Sequence, residues 1–394
     1  MFSEKMYGLG SRRSVIRELF EFGKILSAQK GEDKVFDFSL GNPSVPAPAC
    51  VNEAVADILA CSSSTQVHGY TSAPGDASVR SAVADNLNKR YGTSLTAANI
   101  YMTCGAAASL CISLKALCED GDEFLLLAPY FPEYEVFVDS AGGRAVSVPF
   151  RPEDFQIDFD AFSKALNPRT KAVIVNSPNN PSGVVYTRDT LERLCSILDA
   201  KSREWGHPIF IISDEPYREL VYDGKEVPCI MSRYDNSLIC YSFSKSLSLP
   251  GERIGYIAVN PRIENADGLF AAICGAGRAL GYVCAPSLFQ KVVERCLDAR
   301  PDIDAYRQNR DLLYNALTDV GYECIYPDGA FYLFVKALEQ DAGAFSLRAR
   351  EYGLLLVPGD SFAAEGYVRI AYCVSRSMIE RSLPAFRALF ESYK

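Results

Sequence analysis

The sequence predicts an α/β protein: a large domain with a mostly parallel sheet between helices, plus a smaller α+β domain formed by both chain ends. The chain has 394 residues, more than the roughly 250–300 at which one hydrophobic core stops growing. Short apolar runs alternate with helical patterns through its middle, which is typical of buried parallel strands. The C-terminal part instead mixes short strands and helices. We expect residues 1–45 to form an N-terminal arm and part of the small domain, 46–285 the large domain, and 286–394 the small C-terminal domain.

Each element follows from the periodicity of its apolar residues. Helical spacing predicts helices at 12–30, 50–61, 76–91, 105–118, 187–204 and 286–320. Continuous apolar runs predict strands at 124–128, 145–149, 172–177, 209–213, 238–242 and 254–259 in the large domain, and at 331–335, 354–357 and 367–371 in the small one. The Gly and Pro content of 34–48 indicates an extended loop.

The composition excludes several classes of partner. Net charge is −9, from 40 basic and 49 acidic side chains, and no basic stripe stands out, so we expect no nucleic acid partner. No apolar stretch approaches the ~20 residues of a membrane-spanning helix. The N-terminal residues contain no apolar segment followed by a secretory cleavage site. We therefore expect no membrane contact either.

The cysteines and histidines limit the available chemistry. The 13 cysteines are scattered and contain no C-x-x-C pair, so we predict no metal site, and thiols kept reduced in the cytoplasm. The chain has only two histidines, His68 and His207. Proton transfer in an enzyme with this sequence is therefore expected to use another side chain.

Two short motifs point to chemistry that their context does not support. The segment Gly275–Gly281 reads GAGRALG and resembles a dinucleotide-binding fingerprint, which must open a helix. Pro286 would fall inside that helix, so a flexible connection is the favoured interpretation. Ser242 and Lys245 have the S-x-x-K spacing of penicillin-recognising hydrolases, but the S-D-N and K-T-G motifs of those enzymes do not occur.

A third set of residues agrees with itself, and most of its members lie at or just past the ends of predicted strands, where open α/β sheets bind ligands. Gly105 precedes a helix, so the N–H groups of Ala106 and Ala107 can bind an anion. Ser242, Ser244 and Arg253 add donors that suit a phosphate. The whole set comprises Tyr70, Gly105, Ala106, Ala107, Phe131, Asn180, Asp214, Tyr217, Ser242, Ser244, Lys245, Arg253 and Arg369.

Two members of this set have distinctive chemistry. Lys245 follows a buried strand; beside a phosphate site its amine can form a Schiff base with an aldehyde cofactor, although most lysines are simply solvated. Asp214 ends an apolar strand and needs a cationic partner, such as a protonated pyridine nitrogen. The alternative for Asp214 is to cap the next helix.

With these residues in place, the chain resembles a class I aminotransferase of the pyridoxal-phosphate fold type I group, of the aspartate-aminotransferase kind, from about Phe36 onward. Lys245 and Arg253 are eight residues apart, as in that family, and Asp214 follows Asn180 by 34 residues. The motifs that carry the resemblance are FSLGNP, YTSAPG, TCGAA, APYFPEY, NSPNNPSG, SDEPYREL, YSFSKSLSLPGERIGY and YVRIAY.

The resemblance implies pyridoxal 5'-phosphate as cofactor and a role for each matching residue. Lys245 would bind the cofactor aldehyde, Asp214 its ring nitrogen, and Asn180 and Tyr217 its ring hydroxyl, while Phe131 would stack on the ring. Phosphate would be bound by Gly105, Ala106, Ala107, Ser242, Ser244 and Arg253, with Tyr70 reaching it across a homodimer interface. Arg369 would bind the substrate α-carboxylate with help from Asn180 and Gly41.

Two positions depart from the family pattern. Ala107 lacks the polar side chain often found there, and Phe131 stands where many members have Trp or Tyr. These changes affect cofactor contacts rather than the groups that react.

The resemblance implies ping-pong transamination between an L-amino acid, aspartate or similar, and a 2-oxo acid such as 2-oxoglutarate, with freed Lys245 as the base. A distal carboxylate needs a further cation, and Arg278 is a candidate. Tyr70, Phe131 and Tyr332 would instead favour aromatic or broad substrates. A C–S β-lyase, decarboxylase or racemase-like reaction on the same fold stays open. A cofactor-sensing regulator is disfavoured because the residues before FSLGNP show no helix-turn-helix.

Overall fold

A computed structural model of the chain describes residues 2–11 and 15–394; the first three residues of the helix predicted at 12–30 lie outside this range. The helices are α1 (Glu4–Ser11), α2 (Val15–Lys30), α3 (Ala49–Cys61), α4 (Ser64–His68), α5 (Ala77–Tyr91), α6 (Ala106–Leu117), α7 (Glu133–Ala141), α8 (Phe159–Ala165), α9 (Arg188–Trp205), α10 (Phe243–Ser246), α11 (Ala266–Leu280), α12 (Ser287–Arg295), α13 (Ile303–Val320), α14 (Ala342–Glu351) and α15 (Arg376–Glu391).

The strands are β1 (Phe36–Asp37), β2 (Ile100–Thr103), β3 (Glu123–Leu127), β4 (Arg144–Val148), β5 (Thr170–Asn176), β6 (Phe210–Asp214), β7 (Ser237–Ser242), β8 (Gly255–Val259), β9 (Tyr332–Lys336), β10 (Leu354–Leu355), β11 (Val357–Pro358) and β12 (Tyr367–Ala371). The large sheet has the order β2-β8-β7-β6-β5-β3-β4. Strand β8 runs antiparallel to both of its neighbours, and the other pairs are parallel. The predicted α/β class with a mostly parallel sheet is confirmed.

Helices cover both faces of the large sheet. Because side chains alternate along a strand, Leu125 and Leu127 of β3 enter one core, while Phe124 and Leu126 enter the other. The first core is closed by α3, α5, α9 and α12, and the second by α6, α7 and α11. Local sequence fixes the helix ends: the side chain of Thr187 caps α9, which ends at Gly206 in the left-handed conformation.

A second unit is built from the chain ends. Strands β11-β12-β9 form an antiparallel sheet, and β1 pairs with β10, so a segment near the N terminus completes a unit formed mainly by the C-terminal part. Its core draws on α13, α14 and α15. Helix α12 packs against α3 and α5 of the large unit.

Two predicted elements differ from the structure. The helix predicted at 286–320 is divided into α12 and α13, because Pro301 disfavours a helical conformation at Arg300 and Asp302 then caps α13. The flexible connection predicted at 275–281 is wrong. Those residues end α11, whose Gly277 lets the helix approach the Tyr101 hydroxyl and whose Gly281 is its left-handed C-cap.

Strand β2 and helices α7 and α11 were not predicted from periodicity. The helices of the described part of the chain include none that is long and apolar enough to cross a membrane.

Candidate active site

One cavity of about 280 Å³ lies where the large sheet meets the small unit. Strands β5, β6 and β7 end at its floor, α6 begins at its wall, and β12 contributes from the small unit. The position agrees with the rule that parallel sheets bind ligands at the carboxyl ends of their strands. Of the residues singled out in the sequence, those lining it are Gly41, Ala106, Ala107, Phe131, Asn180, Asp214, Tyr217, Ser242, Ser244, Lys245, Arg253, Tyr332 and Arg369.

Asp214 is the last residue of β6 and is only 5% exposed. Its Oδ2 accepts a hydrogen bond from the Tyr134 hydroxyl, and Asn176 donates to its main-chain oxygen at 2.9 Å. Its Oδ1 is buried and has no partner among the described residues. Burial raises the pKa of Asp214 to about 7, and the hydrogen bond from Tyr134 acts in the opposite direction. An N–H donor of positive charge would complete this site.

Lys245 lies on α10, directly after β7. Its Nζ donates to the Gly41 carbonyl oxygen at 2.6 Å. Burial lowers the pKa of Lys245 to about 8, and the nearby guanidinium groups of Arg369 and Arg253 add to the effect, against an opposing contribution from Cys373. Part of this amine is therefore neutral at pH 7–8, and the neutral form can react or accept a proton.

An anion cradle forms where α6, α10 and Arg253 meet. The Ser242 and Ser244 hydroxyls lie 2.7 Å apart, and the Arg253 guanidinium reaches the Ser244 hydroxyl at 3.5 Å. Gly105 begins α6 with φ 88°, and a Cβ there would lie 3.0 Å from an Arg253 nitrogen. The free N–H groups at the start of α6 add to the positive potential. The cradle therefore suits a phosphate.

Arg369 on β12 is buried, with 2% exposure. Its guanidinium donates to the Asn180 side-chain oxygen at 3.0 Å and to the Ser39 carbonyl oxygen. No ion pair joins it to a carboxylate in the described part of the chain, and its Nε has no partner there. A buried, permanently charged group without an anion is costly. The carboxylate of a bound ligand would supply the anionic partner that the Arg369 guanidinium lacks.

The aromatic residues shape the rest of the cavity. The Tyr217 and Tyr332 hydroxyls are 3.0 Å apart, and the Arg369 guanidinium lies 4.6 Å from the centre of the Tyr332 ring. A Cβ at Gly41 would overlap the Tyr332 hydroxyl, so any other residue there would force Tyr332 to shift. Phe131 and Tyr134 both line the cavity, and their rings pack edge to face.

Three predicted residues are not part of the cavity lining: Gly105, which is the N-cap of α6 beside it, Tyr70 and Arg278. Tyr70 is 98% exposed in the single chain. Arg278 is exposed on α11 and does not line the cavity, so the chain's own Arg278 is not positioned to bind a distal carboxylate there.

Sequence reasoning missed several residues that line the cavity. Tyr134 lies within the motif APYFPEY and Asn176 within NSPNNPSG, so the motifs marked the right segments but not these side chains. Ile16 and Leu40 form an apolar part of the lining. Nothing in their local sequence distinguishes them from other apolar residues of α2 and the following loop.

Together these groups define a class of protein. The cavity combines a reactive amine, a phosphate cradle, an unpartnered carboxylate oxygen and a buried guanidinium. That set fits an aldehyde cofactor that carries a phosphate and a basic ring nitrogen, together with a substrate that carries a carboxylate.

Comparison with known proteins supports this inference about cofactor and substrate. The family "Aminotransferase class I and II" matches residues 33–386. The chain is 30% identical over 353 residues to an aspartate/prephenate aminotransferase of Thermus thermophilus, covering 88% of each protein. It is 28% identical to aromatic-amino-acid aminotransferase 2 of Thermococcus litoralis, covering 95% of this chain and 96% of that one. An amino transferase crystal structure from Eubacterium rectale has 56% identity and a TM-score of 0.98, covering 100% of this chain and 99% of that one.

The chain therefore belongs to the class I and II aminotransferases, and it is a pyridoxal-phosphate-dependent transaminase. The cofactor fits the residues present, because the orphaned Oδ1 of Asp214 and the cradle at Arg253 are complementary to its ring nitrogen and its phosphate.

Proposed function

We propose that this aminotransferase moves the α-amino group of an L-amino acid to a 2-oxo acid by a ping-pong reaction in which both substrates use the one cavity. The observation that carries the proposal is Arg369, a buried guanidinium held at fixed geometry by Asn180 and Ser39 and free of any carboxylate partner among the described residues. Amino acids and 2-oxo acids share the α-carboxylate that such a group binds bidentately.

Each remaining residue has a proposed role in this reaction. Bound pyridoxal phosphate supplies an electron sink for the charge that develops at the substrate Cα. Lys245 holds the cofactor aldehyde and, once released, moves a proton at the substrate Cα, which its lowered pKa of about 8 permits. Asp214 keeps the ring nitrogen protonated, and Asn180 and Tyr217 bind the ring hydroxyl. Phe131 stacks on the ring.

The phosphate is proposed to bind the cradle described above. Its donors are Gly105, Ala106, Ala107, Ser242, Ser244 and Arg253, with Tyr70 contributed by a second copy of the chain. Exposure of Tyr70 on the isolated chain supports a homodimer in which it enters the neighbouring site. Mixing Tyr70→Ala protein with Lys245→Ala protein tests this, because only a shared site regains activity in the mixed dimer. A mixture as inactive as its parents would contradict the arrangement.

The proposed substrates are aspartate or a similar amino acid, with a 2-oxo acid such as 2-oxoglutarate as acceptor. The name of the Thermus relative supports aspartate. A second candidate, an aromatic or broad-specificity aminotransferase, is favoured by the apolar lining from Ile16 and Leu40 and by the Tyr332 ring. The Thermococcus relative is named an aromatic-amino-acid aminotransferase, which supports this second candidate.

Half-reaction spectroscopy separates these candidates. Purified holoenzyme is mixed with each amino acid in turn, and loss of the visible absorbance of the bound cofactor is followed; adding a 2-oxo acid should restore it. Faster reaction with aspartate supports the first candidate, and faster reaction with phenylalanine supports the second. Release of pyruvate and ammonia from a sulfur amino acid without any transamination would instead indicate a β-lyase.

We propose that the enzyme acts in amino-acid metabolism in the cytoplasm. The support is that all thirteen cysteines are free thiols, as expected in a reducing compartment.

A further inference from the structure

Tyr134 touches the cofactor site without belonging to the predicted set. It lies in the first turn of α7 and is 1% exposed. Its hydroxyl donates to Oδ2 of Asp214, a residue 80 positions away in the sequence. A buried tyrosine hydroxyl needs a partner, but the partner here is Asp214, whose carboxylate is the one that lines the cavity among the described residues.

The two oxygens of Asp214 have different environments. Oδ2 is bonded by Tyr134 and approached at 3.5 Å by the side-chain amide of Asn176, which also holds the main-chain oxygen of Asp214. Oδ1 has no partner among the described residues. The protein thus fixes one oxygen and leaves the other for a ligand.

Other titratable neighbours of Asp214 do not share this function. Each bonds a different partner: Glu215 bonds Arg218, Tyr217 bonds Tyr332, and Cys240 bonds Ser113. Tyr134 is therefore the titratable neighbour that donates to this carboxylate within the described structure.

Tyr134 also contacts Phe131, the residue proposed to stack on the cofactor ring. Its ring lies 5.7 Å from that of Phe131 at an interplanar angle of 83°. This edge-to-face packing is a stable geometry for aromatic pairs, so one side chain supports both the proposed stacking residue and the proposed partner of the ring nitrogen.

We propose that Tyr134 is a positioning residue: its hydroxyl holds Oδ2 of Asp214 so that the charged carboxylate presents Oδ1 to the cofactor ring nitrogen and keeps that nitrogen protonated. The proposal rests on the proposed role of Asp214. Removing the hydroxyl disfavours the charged carboxylate and frees its orientation. The proton shared by the carboxyl group and the ring nitrogen then shifts toward the carboxyl group.

The test uses Tyr134→Phe, with Tyr130→Phe as matched control. Tyr130 lies in the same segment, is also buried, and also donates to a carboxylate, that of Glu135. Each holoenzyme is loaded with cofactor labelled with ¹⁵N in the ring, and the nitrogen chemical shift reports its protonation directly. The cofactor dissociation constant is measured in parallel, and urea unfolding of each apoenzyme checks the fold.

We expect Tyr134→Phe to move the nitrogen signal toward the unprotonated position and to weaken cofactor binding by up to about 10–10²-fold, the effect of losing one hydrogen bond to a charged group. Tyr130→Phe should leave both unchanged. A Tyr134→Phe signal equal to wild type, or equal shifts in both variants, would overturn the proposal. If Asp214→Asn also leaves the nitrogen protonated, the role of Asp214 in the proposed function fails instead.

Discussion

Replacing Arg369 with alanine should remove the substrate's α-carboxylate site while leaving the cofactor site in place. The guanidinium donates to the Asn180 side-chain oxygen and the Ser39 carbonyl oxygen, and its Nε has no partner among the described residues. A bidentate carboxylate would accept two charge-assisted hydrogen bonds from it. Each such bond contributes about 1.5–3 kcal/mol.

Two bonds of this kind amount to about 3–6 kcal/mol, and a factor of ten in rate corresponds to about 1.4 kcal/mol. We therefore expect kcat/KM for the preferred amino acid to fall by about 10²–10⁴ in Arg369→Ala. Arg369→Lys keeps the charge but loses the planar fork, so its loss should be intermediate.

The assay compares an amino acid with the amine that lacks its carboxylate, in wild type and in both variants, by the rate of the half-reaction. Wild type should strongly prefer the amino acid, and Arg369→Ala should lose most of that preference. The amine serves as internal control, because any general damage to the fold slows both substrates. An undiminished preference in Arg369→Ala would refute the reasoning and show that another group binds the carboxylate.

Three further predictions follow from the buried groups. Lys245→Ala should abolish both turnover and the visible absorbance of the bound cofactor; normal turnover would remove Lys245 from its role. The pKa of Asp214 is raised from 3.8 to about 7, so at this group the folded apoenzyme binds more protons than the unfolded chain between these values, and the contribution of Asp214 to stability falls as pH rises from about 4 to 7. Urea unfolding should then show the free energy of unfolding of Asp214→Asn rising relative to that of the wild-type apoenzyme by about 4 kcal/mol across that range. A difference between the two proteins that does not change with pH would contradict the prediction. In α11, Gly277→Ala overlaps the Tyr101 hydroxyl and should cost about 1–3 kcal/mol, whereas Gly275→Ala meets nothing within 4 Å and should add about 0.5–1 kcal/mol. Thermal unfolding that ranks these two variants the other way would count against the helix packing.

The large sheet could be predicted because its strands are buried on both faces. Strands such as β5 and β6 read as unbroken apolar runs, and the predicted ranges lie within two residues of the observed ones. Strand β2 was missed because it is only four residues long and leads at once into the turn at Gly105. Helix α11 was missed because its glycines, which permit close packing, read locally as a loop.

The site could be predicted only in part, because some of its residues come together from distant segments of the chain. Asp214, Ser242 and Lys245 follow strand ends, so local position places them at the ligand-binding edge. Arg369 reaches the same cavity from the small unit; it lies inside the predicted strand 367–371 rather than at its end, so local position does not place it there, and its role came from the resemblance to a known family. The contact of Tyr134 with Asp214 spans 80 positions and leaves no trace in local sequence.

The charged groups of the cavity have one property in common: the described structure pairs none of them with another. Asp214 could neutralise Lys245 or Arg369, yet its partners are a tyrosine and an asparagine, while Lys245 bonds a carbonyl oxygen and Arg369 bonds an amide and a carbonyl. Burying charges in this way costs stability, and the shifted pKa values of Asp214 and Lys245 record that cost. An ion pair within the site would recover this stability. It would also occupy the side chains that are proposed to bind the cofactor's ring nitrogen and aldehyde and the substrate's carboxylate. The apoenzyme should therefore gain stability when cofactor binds, by an amount that Asp214→Asn reduces and that unfolding at increasing cofactor concentration measures.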